Sequence, residues 1–463
     1  MELKNIHSVY FIGIGGIGMS ALARFYLSKG IAVGGYDKVC TPLTESLVKE
    51  GATISYSDEL SEIPVSFKNE KTTFIVYTPA IASSHKGYNY FKDNGFNIAK
   101  RSELLGLITD ELFTIGVAGT HGKTTTSSII THVLDNSGFP VNAFLGGISS
   151  NLNSNFLLNK KAETVVVEAD EYDRSFLTLA PNIAIVTSMD ADHLDVYGEH
   201  SYLTESFEKY VAKLPSDGVL IKRKGLSVAH NNTIEYAVNE KADYYATNIA
   251  IANGEYHFDI VTPKERVKNV VLGMPGLHNV ENAVAAIAVG IELGLSTTLI
   301  VAALKSFKGV KRRFEYHIKT EAVIYIDDYA HHPVELKACI NSVKEMYPAK
   351  KITGVFQPHL YSRTRDFADD FAVSLDLLDE VLLLDIYPAR ELPIEGVSSS
   401  MLLSKISNDC KELLSKEELV ESITDRKLEV LLTLGAGDID ELIEPIKKKL
   451  KESLTSEVVY GGF

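Results

Sequence analysis

The chain has 463 residues, more than a single hydrophobic core organises, so two to four domains are expected. Its formal net charge of −15 argues against a nucleic-acid partner, and its three cysteines, Cys40, Cys339 and Cys410, show no CxxC spacing, which argues against a disulfide framework or a thiolate metal cluster. Composition is that of a soluble globular protein, 45% hydrophobic and 23% charged. No run of about 18 uninterrupted apolar residues suggests a membrane span. The first residues lead directly into a strand and a glycine turn, so no secretory leader is expected and the cytoplasm is the expected compartment.

In chain order, apolar runs that read as strands alternate with amphipathic stretches. The run Ser8–Gly15 precedes a helical pattern over Ser20–Lys29, and "TTFIVYT" follows. "LFTIGVAG" precedes a second helical pattern over Thr125–Ser137, and then come "ETVVVEAD", "NIAIVTSM", "AVIYIDD", "KITGVFQ", "EVLLLDIY" and "LEVLLTLGAG". This alternation predicts an α/β protein with parallel sheets. Breaks near 109–112 and 308–313 divide the chain into residues 1–111, 112–311 and 312–463.

Two glycine loops carry the strongest signals. In "FIGIGGIGMSALARF", Gly13, Gly15 and Gly18 form G-x-G-x-x-G between a strand and a helix, the phosphate-binding turn of a dinucleotide-binding unit. By itself it suggests a redox cofactor, and Asp37 follows at a distance suited to a ribose. In "GVAGTHGKTTT", Gly116–Thr126, a strand enters a glycine loop that opens a helix. Backbone N–H groups there face phosphate oxygens, Lys123 reaches the outer phosphates and the Thr124 hydroxyl ligates Mg²⁺. Val117 stands where a strict P-loop would have its first glycine, with Gly116 and Gly119 flanking it.

Polar clusters follow the later strands. "VVVEADEYDRSF" brings Glu168, Asp170, Glu171 and Asp173 to a strand end, where a metal beside a phosphate loop needs hard oxygen ligands. "NIAIVTSMDADHLDVYG" adds Asp190, Asp192, His193 and Asp195, with His193 either a structural histidine or a ligand of a second metal. "MPGLHNVENAVAAIAVG" places His278, Asn279 and Asn282 at the start of an alanine-rich helix, with Asn279 or Asn282 available as a cap and an asparagine suited to an adenine edge. "KGVKRRFE" offers Lys311, Arg312 and Arg313, either an exposed basic linker or an arginine directed at a γ-phosphate. "YIDDYAHHPVE" and "FQPHLYSRTRDF" gather Asp327, Asp328, His331, His332, His359, Arg363 and Arg365, a set that would hold a carboxylate-bearing substrate.

Taken together, "FIGIGGIGMS", "GTHGKTTT", "EADEYDRSF", "DADHLDVYG", "GLHNVENA", "GVKRRFE", "DDYAHHPVE", "FQPHLYSRT", "DIYPARE" and "TLGAGDI" occur in an order that resembles the Mur ligase family over essentially the whole chain. The resemblance implies three domains: a Rossmann-like N-terminal domain for a UDP-sugar, a central P-loop ATPase domain with a parallel sheet, and a C-terminal Rossmann-like α/β domain for an amino acid. It implies ATP-driven amide formation in cytoplasmic peptidoglycan precursor synthesis, with UDP-N-acetylmuramate, L-alanine and ATP as substrates and one or two Mg²⁺ ions, in a monomer or homodimer.

By matching position, it implies that Gly15, Gly16, Gly18, Met19, Ser20 and Asp37 hold the UDP-sugar. Gly119, Thr120, His121, Gly122, Lys123, Thr124 and Thr125 would hold ATP, with His278 and Asn282 at the adenosine and Arg313 at the γ-phosphate. Thr124, Glu168 and His193 would hold metal, and Lys123, Glu168, His193 and Arg313 would form the catalytic set. Tyr329, His331, His359 and Arg363 would surround L-alanine. The chain departs from the family pattern at Leu360 (commonly arginine), Ser188 (asparagine), Tyr172 (serine) and Arg390 (glycine). Glu208 falls near the position of a carbamylated lysine in related ligases, and no carbamate is assigned.

Three competing readings remain at this level: a ligase that adds a recycled murein peptide to the same sugar nucleotide, an NAD-dependent oxidoreductase built on the first loop, and a noncatalytic binding protein on the same fold. The first is disfavoured by "GIGGIGMS". The second leaves the GKT loop without a role, and the third leaves the intact Lys123, Thr124, Glu168, His193 and Arg313 unexplained. Because the phosphate loop and the alanine residues fall in different segments, a hinge around 308–313 is expected.

Overall fold

A computed structural model describes residues 6–78, 81–82, 84–192, 197–252, 255–389 and 391–460, the side chains of 455–460 excepted. The fold is α/β in three domains, and three sheets are found among the described residues. The first contains β1 (Ser8–Ile12), β2 (Ala32–Tyr36), β3 (Thr53–Ser55), β4 (Thr73–Tyr77) and β5 (Asn97–Lys100), in the order β3-β2-β1-β4-β5. All its pairings are parallel. Every residue of β1 is buried, as expected for a central strand covered on both faces. The glycine turn that follows it leads into the helix Ile17–Ser28, which begins three residues earlier than the apolar pattern alone marks, with Met19 and Ser20 already buried in its first turn.

The second sheet contains β6 (Phe113–Ala118), β7 (Val141–Ser149), β8 (Ser154–Leu157), β9 (Thr164–Glu168), β10 (Ile183–Val186), β11 (Val219–Arg223), β12 (Thr233–Val238), β13 (Tyr244–Ala252), β14 (Glu255–Val261) and β15 (Arg266–Leu272). Their order is β15-β14-β13-β12-β11-β10-β6-β9-β7-β8. Strands β6, β9 and β10 lie parallel at its centre, so the three loops leaving their C-terminal ends converge. Val165, Val166 and Val167 are fully buried and carry Glu168 to the C-terminal end of β9.

The third sheet contains β16 (Glu315–Lys319), β17 (Ile324–Asp328), β18 (Ile352–Phe356), β19 (Glu380–Leu383), β20 (Lys411–Leu413) and β21 (Val430–Leu434), in the order β16-β17-β21-β18-β19-β20. Only its β16–β17 pair is antiparallel. Two compact units are distinguished: Met1–Asn248 with Phe258–Val270 and Glu281–Lys308, and Ile249–His257 with Val271–Val280 and Gly309–Phe463. Among the described residues no helix is long and apolar enough to cross a membrane.

Candidate active site

In the first unit, the loop after β6 closes tightly on the loop after β10. Gly119 has φ +140°, and a side chain there would collide with the Thr187 hydroxyl, so the turn requires glycine. Ser188 braces the loop: its Oγ lies 2.9 Å from the Thr120 hydroxyl and accepts from the His121 amide at 2.7 Å. The Thr120 hydroxyl in turn accepts from the Asp190 amide at 3.1 Å. Gly122 caps the helix Lys123–Asn136, whose first turn holds Thr124 and Thr125, both buried. The Asn282 carboxamide oxygen accepts from the Thr126 hydroxyl at 3.1 Å beside this turn.

The Lys123 ammonium donates to the Gly119 carbonyl at 2.7 Å and pairs with Glu171 at 2.8 Å. Burial alone would lower this ammonium's pKa. The carboxylates of Glu171, Asp170 and Glu168 outweigh that penalty and hold it above the ordinary lysine range. Glu168 ends β9 with its carboxylate laid across Gly146 of β7. The structure thus brings Lys123, Thr124 and Glu168 to one end of the central strands. His193 and Asp195 lie outside the described residues.

At the first glycine loop, the Gly15 amide donates to Asp37 Oδ2 at 2.7 Å. The carboxylate that a dinucleotide enzyme would direct at a ribose instead braces the turn. Gly16 caps the helix that follows, and Gly18 lies in its first turn against the guanidinium of Arg101, a residue that sequence reasoning passed over. The Met19 side chain is in the core. The Ser20 hydroxyl donates to the Ile17 carbonyl at 2.8 Å and accepts from Asn155 Nδ2 at 3.0 Å. Met19 therefore offers the loop its backbone rather than its side chain, whereas the Ser20 amide already donates to the Gly16 carbonyl at 2.8 Å.

In the second unit, the basic run is sorted by backbone geometry. Arg312, at φ +61°, turns inward to Asp327 Oδ2 at 3.1 Å and the Gly435 carbonyl at 2.7 Å. Arg313 lies with its guanidinium carbon 4.9 Å from the centre of the Tyr329 ring. Tyr329 then leads to the other residues expected at the amino acid: its ring is 5.3 Å from His331, which is 6.0 Å from His359. The buried Arg363 reaches His359 Nδ1 at 3.3 Å. Tyr387, absent from the sequence reading, stacks on His359 with ring centres 5.7 Å apart. Leu360 is buried at φ +72°, so this turn carries no cation at that position.

His278 also lies in the second unit, in the helix Leu277–Glu292. Burial, then the nearby Arg313, push its imidazole down to about 4. The expected capping role of Asn279 is not observed. The helix starts before it, at Leu277, and its buried amide donates back to the Pro275 carbonyl. Asn282 is likewise inside the helix. Asp328 accepts from the amides of Phe314 at 2.7 Å and Ala330 at 2.8 Å, and burial raises its carboxyl to about 6.

A P-loop lysine beside carboxylates, a Rossmann-like domain before it and an Arg/His/Tyr cluster after it define an ATP-using ligase architecture, and the chain belongs to the Mur ligase family. Its residues 8–112 match the Mur ligase family catalytic domain, 117–290 the Mur ligase middle domain, and 312–437 the Mur ligase glutamate ligase domain. It is 52% identical over 450 residues to UDP-N-acetylmuramate–L-alanine ligase of Christiangramia forsetii, covering 97% of this chain and 99% of that one. The crystal structure of UDP-N-acetylmuramate–alanine ligase from Thermotoga maritima superposes with a TM-score of 0.82 at 28% identity, covering 96% of this chain and 99% of the other. A murein peptide ligase from Psychrobacter arcticus shares the fold, with a TM-score of 0.70 at 22% identity, covering 97% and 98% of the two chains.

Proposed function

We propose that the chain joins L-alanine to the lactyl carboxylate of UDP-N-acetylmuramate at the expense of ATP, in cytoplasmic synthesis of peptidoglycan precursors. The observation that carries this reading is the braced GKT loop, with Lys123 among carboxylates, in a chain 52% identical to an alanine ligase over nearly its full length. A lactyl carboxylate oxygen attacks the γ-phosphorus of ATP, ADP leaves, and an acyl phosphate forms. The neutral amine of L-alanine then attacks the acyl carbon. The C–O bond to phosphate breaks, and a proton leaves the nitrogen as the amide forms. The chain's contribution is positioning and charge neutralisation.

In this reading, the loop Gly119–Thr125 and Lys123 hold the triphosphate, with His278 and Asn282 at the adenosine. Arg313, unlike Arg312, keeps its guanidinium off the unit's own carboxylates in the hydrogen bonds seen, and meets the γ-phosphate. Tyr329, His331, His359 and Arg363 surround L-alanine. Gly15, Gly16 and Gly18, with the backbone of Met19, take the UDP diphosphate, Ser20 supports the start of that helix through Gly16, Ile17 and Asn155, and Asp37 holds the turn. Among the described residues no group of three or more His, Cys, Asp or Glu side chains is arranged as a metal cage. Mg²⁺ carried by ATP asks for only one or two protein oxygens, which Thr124 and Glu168 offer, with His193 for a second ion. Such an ion neutralises the charge that builds up on the phosphates. Domains of 1–111, 112–311 and 312–463 are supported by the confinement of each sheet to one of these segments.

Phosphate release should require UDP-N-acetylmuramate, L-alanine, ATP and Mg²⁺ together. Release without the sugar nucleotide would refute the proposal. A preference for a murein tripeptide over L-alanine would transfer the chain to the recycling reaction.

A further inference from the structure

The acidic stretch after β9 contains a carboxylate that the reaction outlined above leaves without a role. Glu171 is fully buried, and both its oxygens lie close to the Lys123 ammonium, at 2.9 Å and 2.8 Å. The ammonium also donates to the Gly119 carbonyl at 2.7 Å. An ammonium has three donors: Glu171 and the Gly119 carbonyl take two at short range, and the third makes only a long contact, 3.5 Å, to the Thr120 carbonyl. Glu171 is itself held from several sides. Its backbone carbonyl accepts from the hydroxyl of the buried Tyr197 and from the Arg174 amide. The turn that follows places Asp173 and Arg174 at φ +52° and +55°, a left-handed pair that L residues adopt only where surrounding contacts enforce it. Asp170 secures the near side of the turn, accepting from the Tyr172 amide through its carboxylate and from the Phe176 amide through its carbonyl.

We propose that Glu171 is the positioning residue of Lys123: it fixes the ammonium over the loop so that the donor now making only the long contact to the Thr120 carbonyl turns to the outer phosphates of the nucleotide. It touches no reacting atom and acts only through Lys123. A buried, unbraced lysine would sample several rotamers and form its phosphate contact in only some of them. The pairing thus converts a mobile cation into an oriented one before the nucleotide arrives.

The inference rests on the nucleotide-binding role of this loop, and one set of titrations separates the two. AMP and a nonhydrolysable ATP analogue are titrated by calorimetry into wild type, E171Q and E171D. If wild type binds no analogue, the nucleotide reading itself fails. Given wild-type binding, E171Q should bind AMP as wild type does and the analogue about tenfold or more weakly, because only the outer phosphates meet Lys123. E171D, which keeps the charge on a shorter arm, should fall between them. Affinity ratios are unaffected by any unfolded fraction. Equal weakening for AMP and the analogue would assign Glu171 a merely structural role and overturn the proposal. So would an unchanged ratio, or an analogue that binds more tightly once the carboxylate no longer competes for the ammonium.

Discussion

Gly146→Ala tests how the candidate metal-side carboxylate is placed. Gly146 lies within β7, and a methyl carbon built on it falls less than 3.0 Å from both carboxylate oxygens of Glu168. Ordinary contact begins at 3.4 Å, so one of the two must give way. The strand is anchored before and after this point, by its β9 pairs through Phe144 and its β8 pairs at Phe144 and Ser149, and the obstacle is the end of a flexible side chain. The carboxylate therefore yields, by roughly 1 Å, a misplacement on the order of what costs a hundredfold in rate when it falls on a group that positions reactants. The fold should tolerate the change, since alanine for glycine in a strand with ordinary backbone angles shifts stability by about 1 kcal/mol or less. The expected result is a kcat for phosphate release lowered about a hundredfold, a raised Mg²⁺ requirement and a thermal midpoint within a few degrees of wild type. A kcat within twofold of wild type would refute the assignment of Glu168. A collapsed midpoint would refute the claim that the side chain, not the strand, moves.

Lys123→Ala should abolish turnover and leave calorimetric binding of UDP-N-acetylmuramate nearly intact, because that substrate is assigned to the other glycine loop. Equal loss of both would contradict the division. Asp328→Asn turns an amide N–H₂ toward one of the two backbone donors, Phe314 or Ala330, that its carboxylate now satisfies. Urea unfolding of the second unit should show a loss of about 1–3 kcal/mol. His278, held down to about 4, is protonated in the unfolded chain before the folded one. Folded-state stability should therefore fall as pH drops from about 6.5 toward 4, by about 2 kcal/mol at pH 5. His278→Gln should flatten that part of the urea-midpoint profile, and an unchanged profile would refute the buried neutral imidazole.

Most of the central strands were legible because buried parallel strands read as unbroken apolar runs, and the GKT loop because its residue types are dictated by phosphate geometry. The misses have a common physical origin: each depends on a partner far along the chain. Ser20 reads as a loop hydroxyl until Asn155, 135 residues away, is seen to occupy it. Gly146 carries no local mark beyond an unusual glycine in a strand, since its reason is Glu168. Arg312 and Arg313 are indistinguishable in sequence. Both guanidinium groups lie over the Tyr329 ring, and only the left-handed backbone at Arg312 directs that residue's donors to Asp327 and the Gly435 carbonyl. Tyr387 joins His359 through a bridge between two loops, a pairing no periodicity encodes.

The two glycine loops share the strand–turn–helix geometry that makes each a phosphate site, and the charges around them separate their roles. At Gly15 the turn's own amide is taken by the Asp37 carboxylate, so negative charge is built into the loop. That carboxylate shapes the turn, and the Arg101 guanidinium against Gly18 supplies the positive charge beside a diphosphate held as a handle. At Gly119 the loop delivers a lysine whose charge is maintained against burial by three carboxylates. Charge redistributes over the γ-phosphoryl group during transfer, and an oriented cation stabilises that change more than it stabilises the ground state. The order in which this chain presents the two loops, substrate handle first and phosphoryl donor second, follows from which glycine turn carries the lysine.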